Sequence, residues 1–93
     1  MRDITFEAIQ AFNNNKNFKK SNTQVKADTT GTYLYLWGNL IARKVGNRIQ
    51  VTLAGYNTVT TRERLRGLCN CYTKKGIPYI NGKQVTSTEW VQL

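Results

Sequence analysis

The stretch from Thr32 to Trp37, TYLYLW, alternates strictly. Successive side chains of a strand point to opposite faces, so Tyr33, Tyr35 and Trp37 fall on one side and Leu34 and Leu36 on the other. A strand with one wet face alternates apolar with polar residues. This one alternates aromatic with aliphatic, so either the aromatics pack under another element or they form a surface on which something flat stacks. The same period returns in RIQVTLA, where Ile49, Val51 and Leu53 oppose Arg48, Gln50 and Thr52. Gly46–Asn47 supplies a tight turn ahead of RIQVTLA, and Gly38–Asn39 marks a bulge or a turn in the segment preceding it.

Helical spacing frames the strands. DITFEAIQAF reads as a first helix, with Asp3 as cap and a core-facing stripe of Ile4, Ala8, Ala11 and Phe12, widened by Phe6 and Ile9. The Asn-rich run Asn13–Asn22 reads as helix end and loop, with Phe18 plugged into the core, and TQVKAD as an edge strand. TVTTRERLRGLCN reads as a second helix, opened by a Thr60–Glu63 capping box and weakened by Gly67. Hairpin signals follow at Lys75–Gly76 and Asn81–Gly82, and the final TEWVQL fits a last strand docked on the sheet. The order α-β-β-β-α-β-β predicts an α+β fold, a small single domain over residues 1–93 with a mostly antiparallel sheet and two helices.

Charge narrows the partners. Fourteen Lys plus Arg face five Asp plus Glu, for a net charge of +9. A domain this basic is drawn to polyanions, nucleic acid first and an acidic protein surface second. With no histidine, scattered carboxylates and no phosphate-cradling loop, the sequence predicts no enzyme and no cofactor. The two cysteines, Cys69 and Cys71, are too few for a four-ligand zinc site and read as reduced thiols. No apolar run reaches membrane-spanning length and no leader is visible, so a membrane partner is not expected.

The cations fall into groups: Lys16, Lys19 and Lys20 in the Asn-rich run; Arg43, Lys44 and Arg48 around one turn; Arg62, Arg64 and Arg66 on the second helix; Lys74, Lys75 and Lys83 on the last hairpins. The planar guanidinium fork matches phosphate oxygens, so Arg43, Lys44, Arg48, Arg62, Arg64, Arg66, Lys74 and Lys75 are the predicted nucleic-acid contacts. Tyr33, Tyr35 and Trp37 serve either as a stacking platform beside them or as a packed core or homodimer interface.

LWGNLIARK and AGYNTVTTRERLRGL, with the amino-terminal EAIQAFNNNKNFKKSNTQV, the Asn81–Gly82 turn and Trp90–Val91, resemble a family of short proteins from tailed-bacteriophage genomes. The resemblance spans nearly the whole chain. It implies a phage origin and a bacterial host cytoplasm, and little about activity. Trp37 stands where many relatives are expected to carry His, which removes any role for an imidazole there. Two readings therefore lead: a protein that binds nucleic acid with little sequence preference, and an inhibitor whose basic surface meets a host defence or transcription protein. A structural or packaging accessory is the third.

Overall fold

In the computed structural model the described residues are 2–93. After helix α1 (Asp3–Asn13), five strands follow in a continuous meander: β1 (Phe18–Lys20), β2 (Thr23–Ala27), β3 (Thr32–Leu36), β4 (Asn39–Val45) and β5 (Arg48–Val51). Helix α2 (Val59–Leu65) then leads to β6 (Cys71–Lys74), β7 (Ile77–Ile80), β8 (Lys83–Gln84) and β9 (Val91–Gln92). Strand β9 returns to pair with β5, giving a six-stranded antiparallel sheet in the order β1-β2-β3-β4-β5-β9, while β6, β7 and β8 form a second, smaller sheet. The α+β architecture with two helices and a mostly antiparallel sheet is as the sequence indicates.

Period-2 patterning sets the core. Val25, Leu34, Ala42 and Val51 line up across β2 to β5 as direct partners and are all buried. The register slips between Leu34 and Tyr35, where Leu34 faces Ala42 and Tyr35 faces Leu40. Ile41 is the extra residue of this bulge, and it and Ala42 are buried side by side. Helix α1 covers this face with Thr5, Ala8, Ile9 and Phe12. Helix α2 adds Leu65, and the small sheet adds Cys71 and Ile80 to the same cluster.

Several local expectations are corrected. Phe18–Lys20 is a strand rather than loop, so β2 is an interior strand and β1 the edge. The lysines of β1 face solvent, as suits an edge. Trp37 is not in β3: it and Gly38 both have positive φ, 53° and 79°, the pattern of a type I′ turn. Asp3 does not cap α1; Arg2 occupies that position without a side-chain bond. Phe6 is 56% exposed, and Thr5 takes its place on the buried stripe. The cap of α2 is Thr58, whose Oγ1 accepts from the Thr61 amide at 3.2 Å, and not the Thr60–Glu63 box. The turns at Lys75–Gly76 and Asn81–Gly82 form where the sequence places them, each with two positive φ angles.

Candidate nucleic-acid interface

The opposite face of the large sheet carries no helix, because both helices pack on the buried side. Two rows of cross-strand partners cross it. One runs Lys26, Tyr33, Arg43, Gln50, Gln92, and the other Lys19, Gln24, Tyr35, Leu40. Tyr33 and Tyr35 are each partly exposed, as sheet residues flanked only by their neighbours are. Among the described residues every charged side chain in a strand is a lysine or arginine, and all the carboxylates sit in helices or loops. The face is therefore aromatic at its centre and cationic around it.

Its side chains are held in place. The Lys26 ammonium lies 5.3 Å from the Tyr35 ring centroid. The Tyr33 hydroxyl shares a 2.9 Å hydrogen bond with Thr30 Oγ1, and Thr30 in turn donates from its amide to Asp28 at 2.8 Å. The Thr30 hydroxyl also donates to Asp28, and this bond, with the Thr30 and Gly31 amides, holds the Asp28 carboxyl below its usual value. Arg43 donates from Nε to Gln50 Oε1 at 2.7 Å, and its guanidinium lies 3.9 Å from the Trp90 ring centroid, a cation–π stack at the border of the face. Arg48 is exposed at the end of β5.

A family model described as Kyanoviridae Gp96 protein matches residues 1–92. The chain belongs to that family. The phage assignment made from the sequence thus holds for nearly the full length. No curated protein and no solved structure matches the chain at a significant level.

The fold distributes the predicted contacts unevenly. Arg43 and Arg48 join Tyr33 and Tyr35 on or beside the sheet face. Lys44 points the other way: its Nζ donates to the carbonyls of Phe12 at 2.9 Å and Asn13 at 3.1 Å, closing the end of α1. That helix has no basic residue in its own last turn, so Lys44 supplies the missing cation. Arg64 is a correction. It is 2% exposed, and its donors are engaged by Thr23 Oγ1 and Thr5 Oγ1, both at 2.9 Å, and Asn22 Oδ1 at 3.4 Å. A guanidinium tied down in this way has no fork left for a phosphate. Glu63, read as part of a capping box, lies 3.8 Å from Arg64 and accepts from the Thr5 hydroxyl and the Arg2 amide. Arg62 bonds Asn57, and Arg66 donates to the Cys71 carbonyl at 2.8 Å while staying exposed. Lys74 and Lys75 stand on the small sheet's hairpin, apart from this face.

Other residues come to light only in three dimensions. Tyr72 and Tyr79 are cross-strand partners on the small sheet, stacked at 5.2 Å with rings 5° from parallel. The two-residue turn at Lys75–Gly76 fixes that register, so the pair was readable in principle. Lys26 and Trp90 complete the large face. Burial pushes the Cys69 thiol up to about 12, and burial likewise raises Cys71, so both stay neutral thiols.

Proposed function

We propose that this phage protein binds single-stranded nucleic acid in the host cytoplasm with little sequence preference, laying the strand across the helix-free face of the six-stranded sheet. One observation carries the reading: Tyr33 and Tyr35 are partly exposed side by side, with Lys26 and Arg43 as the cross-strand partners on either side of Tyr33 and no carboxylate in any strand. Bases stack on tyrosine rings whatever their identity, each contributing about 1–3 kcal/mol. Lys19, Lys26, Arg43 and Arg48 hold the phosphates as the strand passes.

The test is titration of labelled single-stranded DNA, RNA and duplex DNA over a range of salt. Single strands bind in preference to duplex. The logarithm of affinity falls against log salt with a slope of about −3 if four phosphates are met. The Tyr33→Ala/Tyr35→Ala double variant loses roughly tenfold or more on every sequence. Equal affinity for duplex, or an unchanged double variant, overturns the reading and points instead to an acidic host protein as the partner of this face.

A further inference from the structure

At the end of β3, on the side of the sheet that the helices cover, lies a cleft of about 370 Å³. Its floor is Leu36, Ile41 and Leu53, all almost fully buried, and its walls are Trp37 and Tyr56, which are 71% and 54% exposed. Asn39, the α2 cap Thr58 and the buried Thr61 supply its polar lining. We infer that this cleft takes one unpaired nucleobase of the bound strand, sandwiched against Trp37. The inference rests on the single-strand reading above and extends it to a second, more enclosed subsite.

Three observations converge on it. The first is the cost of Trp37 where it stands. It occupies a left-handed backbone position, φ 53°, that a bulky side chain disfavours, and it exposes most of its ring. Asn or Gly would make the same turn with less strain, so folding alone does not account for an indole here. The second is the way the cleft is made. The turn at Trp37–Gly38, the bulge at Ile41 and the turn at Ala54–Gly55, which also has two positive φ angles, set the walls apart around an apolar floor. A flat, apolar-faced ring with polar edges suits such a space.

The third is continuity with the sheet face. Trp37 also lines a shallow notch shared with Lys19 and Gln24. Those two residues belong to the same cross-strand row as Tyr35. A strand stacked on Tyr35 and held by Lys19 therefore turns over the end of the sheet at this notch and meets Trp37 there. No carboxylate lines the notch or the cleft, which leaves the path open to a polyanion.

The experiment uses Trp37→Asn, which creates the Asn-Gly pair that type I′ turns prefer and so preserves the fold, together with Tyr56→Ala. Both are compared with Tyr33→Ala/Tyr35→Ala for affinity to a short single-stranded DNA. The Trp37 indole N–H is followed by NMR during the same titration and during one with adenosine monophosphate. The expected result is roughly tenfold weaker binding for Trp37→Asn, comparable weakening for Tyr56→Ala, and a shifted indole signal with both ligands. If the cleft variants bind like the parent while the tyrosine double variant does not, the cleft proposal falls and the sheet-face reading stands. If the cleft variants lose affinity and the tyrosine double variant does not, the sheet-face reading falls and the cleft remains. An indole signal unmoved by both ligands overturns the cleft proposal whatever the oligonucleotide affinity.

Discussion

Arg64 shows how little a residue's type says about its task. Its guanidinium reaches Thr5 on α1, Thr23 on β2 and Asn22 in the preceding turn, beside Glu63 on its own helix. The three bonds need a planar fork with separated donors, which a lysine ammonium does not offer. Removing the buried charge strands Glu63 and two threonine hydroxyls. Arg64→Ala is expected to lose about 3 kcal/mol or more, and Arg64→Lys to recover only part of it, read as shifts in the urea midpoint at constant slope. The same cluster makes stability depend on pH. Burial pushes the Glu63 carboxyl up, but the Thr5 hydroxyl, the Arg2 amide and the Arg64 charge together bring it below its ordinary value. A depressed carboxyl contributes its stability in full above the unfolded value of about 4.3 and loses it as pH falls through the lower folded value. The difference in thermal midpoint between the parent and Glu63→Gln is therefore largest near neutrality and narrows in acid. A difference that stays constant down to strongly acidic pH would contradict this. None of it was legible in the sequence, because the partners of Arg64 lie on elements far along the chain.

At the scale of elements, Gly67 illustrates a different limit. The glycine in TRERLRGL reads as a weak point in a helix, yet Gly67 lies just past α2, against Ile9 of α1. A methyl group there would collide with Ile9 Cγ1. Gly67→Ala is expected to cost about 1–3 kcal/mol through overpacking. Ile9→Ala in the same chain should recover part of that loss, giving a coupling measurable in a double-mutant cycle. Turn chemistry was the legible part of the elements, since Gly46–Asn47, Lys75–Gly76 and Asn81–Gly82 each carry a glycine at a positive-φ position, although Lys75 takes a positive φ as well. Trp37–Gly38 was half hidden, because a tryptophan in that conformation continues the strand's alternation on paper while ending it in space. Strand β1 escaped because three residues, two of them exposed lysines, show no period at all.

Across the whole molecule, the sequence gives the sign of the charge but not its arrangement. Tyr33, Tyr35, Arg43 and Arg48 gather on or beside one face as their alternation implies, while Lys44 and Arg64 are drawn inward by a helix end and a polar cluster that only the fold creates. The face is left free because α1, α2 and the small sheet all contribute to the single core on the other side.

The closing of the large sheet has a consequence in time. Strands β1 to β5 pair with their sequence neighbours through short turns, but β9 reaches β5 only across the whole second half of the chain. Near-neighbour contacts form early because little loop entropy opposes them, and distant ones form late. Val91→Ala is therefore expected to speed unfolding with little change in the folding rate, and Leu34→Ala to slow folding, in stopped-flow chevrons. While β9 is absent, β5 presents an unpaired edge, and for that interval the protein's hazard is another strand taking the place that Val91 and Gln92 will later fill.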